Sequence, residues 1–581
     1  MKWLNGNRMM LVLVGVVAAI VLGGTANADF VFGEPVNLGP TVNSPSGGPN
    51  IGDDVPNSFS SDGLEMYIIS RRTGGLGLYD IWVAKRETVN DEWGTPVNLG
   101  SPVNSVTWEF GVLISADGLE LYFSSTRSGG SGGWDIWITR RAKKDDAWGV
   151  LENLGPVINT SGGDSPNWIS PDGLELYFSS NRSGGFGDWD IWVSRRATKD
   201  DPWEEPVNLG PIVNSSACDV GILSPDCLLL FYSNDIIGPI RPGGFGGSDL
   251  WMTRRASVSD PWGEPVNLGP IVNSSRHDCC PVISPDGSTL YFSSMRPGGL
   301  GGPYYGDIWQ APIIPIVDLN GDGIVDAADM CIMVEHWGEN YSLCDIGPTP
   351  LGDGVVDVQD LIVLAEHLFE DYRLIAHWAL NEEVGNTAYD SFGKYDANLH
   401  GGPIWQPTSG KEGGALQFDG VDDYISTPFI LDPSKGSFSA FAWIKGGAPG
   451  QVVLSQSDTV VRNTTQLGNA WLWADSSYGR LVTRLMHPPF DPLMSESVIT
   501  DGQWHHVGLV YDYIGLCRYL YVDGAMVAQD ATFVGGGGSE GSLYIGAGES
   551  LVPSSFFSGL IDDVRIYNNV LSAEEIAALS Q

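Results

Sequence analysis

The stretch "SPDGLELYFSSNRSGGFGDWDIW", from Ser170 to Trp192, decides the fold. Asp172-Gly173 marks a tight turn, and the apolar and polar residues that alternate after it predict a strand leaving that turn. The Gly-rich run that follows leads the chain back into a second strand, which carries Asp190, Ile191 and Trp192. Two antiparallel strands around a turn are too little to stand alone, so the question is what they join.

The phrase is repeated. "SSDGLEMYIIS" begins at Ser60, "SADGLELYFSS" at Ser115, "SPDCLLLFYSN" at Ser224 and "SPDGSTLYFSS" at Ser284. "DIW" stands at Asp80, Asp135, Asp190 and Asp307, with "DLW" at Asp249, at spacings of 55 to 59 residues. Each repeat is therefore one small antiparallel sheet. A third phrase, "PVNLG", begins at Pro35, Pro96, Pro206 and Pro265, with "LENLG" at Leu151. The copy at Pro35 precedes every "DIW", and the last "DIW" has no copy after it. A ring in which the N-terminal strand completes the final sheet produces this offset, and closing the ring removes exposed sheet edges. Residues 30–315 are expected to form a five-bladed β-propeller. The phrases resemble the TolB-type, WD-like propeller repeats of exported bacterial proteins.

The recurring Asp and Trp of "DIW" read as braces within each blade. A second recurring group lies upstream of each turn: Asp54, Glu109, Asp164, Asp219 and Asp278. If the strand between is the innermost one, the five carboxylates ring one mouth of the central channel. Like charges that close call for a cation or for hydrogen-bond donors. The plainer reading has each carboxylate bonding backbone N–H groups. An enzyme reading, in which channel carboxylates cleave a glycan, needs two acids in different environments, and five near-equivalent acids argue against it.

"DLNGDGIVDAAD", Asp318 to Asp329, has a different chemistry. Asp318, Asn320, Asp322, Asp326 and Asp329 place oxygen at offsets 1, 3, 5, 9 and 12, Ile324 offers its carbonyl, and Gly323 makes the sharp turn. Hard oxygen donors at that spacing suit Ca2+. A second copy supplies Asp353, Asp357 and Asp360, but counting back puts Thr349 and Leu351 at offsets 1 and 3, so a weaker site is expected there. Each loop runs into a short helix. Val317 to about Phe369 resembles a type I dockerin, which implies calcium as cofactor and a cohesin-like partner met by Ala327, Ala328, Val358 and Gln359. A calcium-stiffened spacer is the alternative. The module is bounded at 317–370.

From Leu374 the text changes to short alternating strands between Gly, Asp and Asn turns, which predicts a two-sheet sandwich over 374–581. "GGALQFDGVDDYIS", "DGQWHHVGLVYD" and "FFSGLIDDVRIYNNVLSAEEIAAL" resemble the laminin-G-like, concanavalin-type jelly roll. That resemblance implies carbohydrate or protein binding, and a calcium ion shared by Asp390 and Asp562. The alternative is that each of these carboxylates shapes its own turn or strand end. No Glu-x-Asp-x-x-Glu phrase occurs, which weighs against hydrolysis, and His505 and His506 read as strand residues of the sandwich. Trp471 and Trp473 read as core, with an exposed sugar-binding face as the alternative.

Composition bounds the whole. At 581 residues the chain exceeds one ordinary core. Lys2 and Arg8, an apolar run from Met9 to Gly24 and "ANA" before Asp29 read as a signal peptide over residues 1–28. The run is too short to span a bilayer, so a secreted or cell-surface location is expected, with no membrane attachment after cleavage. A net charge of −41 excludes nucleic acid and anionic lipid as partners. Seven cysteines leave pairings such as Cys331 with Cys344, or Cys218 with Cys279 or Cys280, open beside free thiols. The expected protein is mainly β, multidomain and non-catalytic. It binds carbohydrate or a cell-surface protein, and the rival reading is a secreted glycan-active enzyme working in the propeller channel.

Overall fold

The computed structural model describes residues 30–45, 53–234, 241–300, 306–457, 469–485, 492–531 and 541–581; the expected signal segment lies outside them. The chain divides into two compact units at residues 369 and 370. Among the described residues no helix is long and apolar enough to cross a membrane.

The first unit is a five-bladed β-propeller. Blade three shows why the repeat folds as it does. Asp164–Ile169, Glu175–Ser180, Asp190–Arg195 and Val207–Asn208 pair in that order, each antiparallel to the next. The Ser170 hydroxyl bonds the Asp172 carboxylate at 2.5 Å and receives the Glu175 N–H at 2.8 Å, while Gly173 supplies the positive φ of 75° that the turn demands. Leu176 and Phe178 then fall on a buried face. The first strands of successive blades, such as Asp54–Phe59, Glu109–Ile114 and Asp164–Ile169, neighbour one another around the channel.

The ring closes as the offset of "PVNLG" predicts. Val36–Asn37 is the outer strand of blade five, pairing with Asp307–Pro315, and Phe30–Phe32 pairs with the same strand further along. Asn37 donates to the Asp307 carboxylate at 2.9 Å, as Asn98 and Asn208 do to Asp80 and Asp190 within their own blades.

The second unit is a sandwich of two eight-stranded sheets. Phe438–Gly446, Trp504–Asp512 and Ser558–Tyr567 form the middle of one, and Val452–Gln456 with Asn469–Ala474 the middle of the other. Trp378, Leu416, Phe438, Trp471, Leu509 and Ile566 are buried between them. No disulfide joins any of the seven cysteines.

Candidate functional site

The ring acids begin the innermost strands, where they are fully buried and absent from the lining of the channel, so of the two readings it is the one in which they take up internal donors that the geometry matches. Asp164 accepts the Thr160 N–H at 2.6 Å, the Ser180 hydroxyl at 2.6 Å and Arg182 Nη2 at 2.9 Å. Asp54 with Arg72, Glu109 with Arg127 and Asp278 with Arg296 repeat the arrangement. Each arginine also lies over the Trp of its own "DIW", Arg182 at 5.3 Å from the Trp192 ring. The acids are thus neutralised inside the blade by a residue that the repeat carries in plain view, the Arg before each Gly-rich run. Asp219 accepts the Ser215 N–H at 2.6 Å, and burial lifts its carboxyl to about 6.

What the channel does present is a cavity of about 640 Å³ at the end where the innermost strands begin. Its wall is aromatic on one side. Tyr79, Trp134 and Trp189 occupy the position just before "DIW" in blades one to three, where blades four and five have Ser248 and Gly306. Trp108 lies between Tyr79 and Trp134, with ring centroids 5.6 and 5.9 Å away, and Phe110 stands 5.9 Å from Trp134. Gly163 lets the wall continue, because a Cβ there would come within 2.4 Å of the Trp189 ring. Arg71 is the single charged residue among the described residues of the lining; its guanidinium is 3.5 Å from the buried Asp53 and 4.7 Å above the Tyr79 ring. The repeats diverge at these positions, which is the signal that a search for recurring residues passes over.

The two acidic loops fold alike, although the sequence does not align them. In the first, Asp318 accepts N–H groups from Gly321, Asp322 and Gly323 at 2.7 to 3.1 Å. Asp329 takes Leu319 and Asn320 on one oxygen and Asp326 on the other. Asp326 caps the helix Ala327–Glu335 through the Ala328 N–H. In the second, Asp360 takes Ile346, Gly347 and Asp357 in the same way, and Asp357 caps Val358–Glu366 through Gln359. The carboxylate that accepts from Asp353 and Gly354, at 2.8 and 2.7 Å, is Asp345. Asp345, not Thr349, therefore stands where Asp318 stands in the first loop, and Gly347 stands where Asn320 does. An insertion between Gly347 and Gly352 hides the match from counting.

That insertion has its own work. Leu351 is buried among propeller residues including Leu229, Ile283 and Leu290, and Thr349 lies against Gly287 in the turn of blade five. Asn340 donates to the Ala256 carbonyl at 3.2 Å. The module belongs to the propeller's compact unit.

The donors of both loops are hard oxygens, the chemistry that calcium takes. Burial, with Asp329 and Asp322 adding, raises the Asp318 carboxyl, and burial with Asp360 and Asp353 raises Asp345 to about 6. Negative charge is therefore crowded in both loops, and the residues present fit a divalent cation. Among the described residues, however, the one trio of carboxylates with oxygens all within 4.8 Å of one another is Asp419, Asp422 and Asp423, two of them exposed. The helix-start positions Ala327, Ala328, Val358 and Gln359 are exposed.

In the sandwich, Asp390 and Asp562 share no partner. Asp390 accepts from the backbone of His377, Lys394 and Tyr395, and so shapes its turn. One oxygen of Asp562 takes Lys411 and Glu412; the other is buried without a partner, and burial lifts the group to about 6. His506 is stacked on Phe441 in the sheet, held neutral by burial at about 4. His505 lies between Asp501 and Asp523. Trp471 is core, packed 4.7 Å from Phe438, and Trp473 is half-buried.

Residues 419–577 match a family described as the concanavalin A-like lectin/glucanases superfamily. The sandwich is a domain of that kind. No curated protein matches the chain. Among solved structures, the chain is similar to Trypanosoma rangeli sialidase in complex with sialic acid, at 14% identity and a TM-score of 0.35, over 90% of this chain and 92% of that one. It is also similar to the binding domain of Paraclostridial Mosquitocidal Protein 1, at 13% identity and 0.29, over 36% and 52% of the two chains. Domain 4 of AbnA, an extracellular arabinanase from Geobacillus stearothermophilus, in complex with arabinotriose, is similar at 19% identity and 0.24, over 36% of this chain and 98% of that one. Likeness at that level assigns no activity.

Proposed function

We propose that the protein is an exported, non-catalytic binding protein that recognises carbohydrate through its propeller and its lectin-like sandwich, with calcium held in the dockerin-like module. One observation carries the reading. The propeller's five strand-initial acids are spent on arginines and backbone N–H groups, and the described residues that line the cavity offer aromatic rings and no carboxylate. Most glycosidases work with two carboxyl groups at the scissile bond. An aromatic cleft with a few neutral polar groups is the usual form of a small-ligand site.

The module serves as a brace in this reading: Leu351 and Thr349 pin it to blades four and five, and calcium would rigidify the loop that carries them. Docking to a cohesin-like partner through Ala327, Ala328, Val358 and Gln359 is a second use of the same module, favoured by the exposure of all four. A glycan array probed with the full chain, in parallel with release of reducing ends from the same glycans, tests the function. Binding without release is expected. Hydrolysis that is lost on Glu109→Gln or Asp164→Asn, in variants that still fold, would overturn it. A pull-down with and without chelator separates bracing from docking, because only docking loses a protein partner with the calcium.

A further inference from the structure

Resting on the carbohydrate reading above, we propose that the propeller cavity receives the end of a neutral saccharide chain, with its rings stacked on the aromatic wall that runs from Tyr79 to Trp189. The cavity's about 640 Å³ lies inside the ~300–1,000 Å³ of small-ligand sites. Among the described residues the rings on the lining belong to blades one to three, while the position before the Asp of "DIW" is Ser248 and Gly306 in the other two, so the described wall is apolar and aromatic along one side. A ligand that meets this asymmetry has apolar faces and polar edges. A pyranose is such a body: its axial C–H groups form a face that suits the negative face of an indole, and its hydroxyls project around the rim.

Charge then selects among ligands with apolar faces. A quaternary ammonium would find the aromatic rings attractive. Among the described residues of the lining, however, the one charged group is the cation Arg71, and none of them is a carboxylate that would balance a ligand cation. An acidic saccharide would meet Arg71, but that charge is already answered by Asp53 at 3.5 Å, and the chain carries a net −41. What remains is a neutral polyol. Arg71 then acts as a hydrogen-bond donor to a hydroxyl; Asn57 and Asn167 add neutral polar surface to the lining, Asn57 accepting the Val112 N–H and Asn167 donating to the Ser179 hydroxyl. Thr126, Asn181 and Met295 hold the place of this arginine in blades two, three and five, and Asp235, which follows Asn234 in blade four, lies outside the described residues.

The test is calorimetric titration of the full chain with neutral oligosaccharides (cello-, xylo-, manno- and galacto-series), an oligogalacturonate and tetramethylammonium. At least one neutral series should bind, with affinity falling about tenfold or more in Trp134→Ala and Trp189→Ala and several-fold in Arg71→Met. Trp337→Ala, on the exposed face of the acidic module, should leave it unchanged. If an alanine variant does not fold, Trp189→Phe and Ser165→Leu, which shrink the wall and the cavity, carry the same expectation in smaller measure. Neutral-saccharide binding that ignores every cavity variant overturns this proposal while leaving carbohydrate recognition to the sandwich. Preference for the oligogalacturonate or for tetramethylammonium also overturns it. Absence of any saccharide binding by the full chain overturns both this proposal and the reading beneath it.

Discussion

The propeller and the acidic module both bury carboxylates, and they settle the charge in opposite ways. In the propeller, Asp54, Glu109, Asp164 and Asp278 each face an arginine that is itself held over a tryptophan. In the module, Asp318, Asp329, Asp345 and Asp360 face backbone N–H groups and one another. The first arrangement is complete within the chain. The second leaves negative charge that no cationic side chain answers among the described contacts, which is the condition for the calcium binding proposed above. Desolvation penalises both kinds, and the partner differs.

The comparison breaks most visibly if an arginine is removed. Arg182→Met leaves Asp164 buried without its counter-charge, and should cost about 3–5 kcal/mol of propeller stability, unaffected by calcium, in denaturant melts. A melt that calcium restores would put the ring acids in the module's class. His506 sharpens the contrast by a third solution, the loss of the charge itself. Its folded-state pKa, depressed by burial to about 4 from 6.5, means that the neutral ring stabilises the native sandwich above pH 6.5. That contribution should drain away as the pH falls from 6.5 to 4, by about 3 kcal/mol, and then level off. His506→Phe should remove this part of the pH dependence in melts followed at pH 7 and pH 4; an unchanged slope would assign it elsewhere.

Calcium at a hundredfold excess over its Kd should raise the stability of the propeller unit by about 2.7 kcal/mol, and chelator should reverse it. Asp318→Ala should abolish most of the rise. The smallest expected effect distinguishes the two loops. Calorimetry on the full chain should show one tighter and one weaker site, because Gly347 gives the second loop no side-chain ligand where the first has Asn320. Asp345→Ala should remove the weaker site alone, whereas Thr349→Ala should leave both. Two equal sites, or indifference to Asp345, would break the correspondence between the loops.

Much of the architecture was legible in the sequence because repetition carries it. The Asp-Gly turns, the "DIW" strands and the phase of "PVNLG" predict blades and their closure without any knowledge of packing. The candidate sites were less legible, for two physical reasons. Attention to what recurs in every blade picks out residues that brace, and a ligand breaks five-fold symmetry, so the informative positions are those where Tyr79, Trp134 and Trp189 give way to Ser248 and Gly306. Offset counting assumes an unbroken loop, and the insertion that seats Leu351 in the propeller displaced Asp345 from its expected place. The burial of the ring acids was open from sequence alone, although the Arg before each Gly-rich run was there to be read.

The closure of the ring has a consequence in time. Asn37 meets Asp307 across 270 residues of chain. At about 5–20 residues per second of synthesis, the strand at Val36 waits on the order of 15–50 s for its partner to be made. Blades one to four are complete from their own residues, and blade five is not. The earliest described strands to emerge are thus the last of the propeller to be paired, and through that interval the growing chain carries an unsatisfied edge that only synthesis through Pro315 can cover.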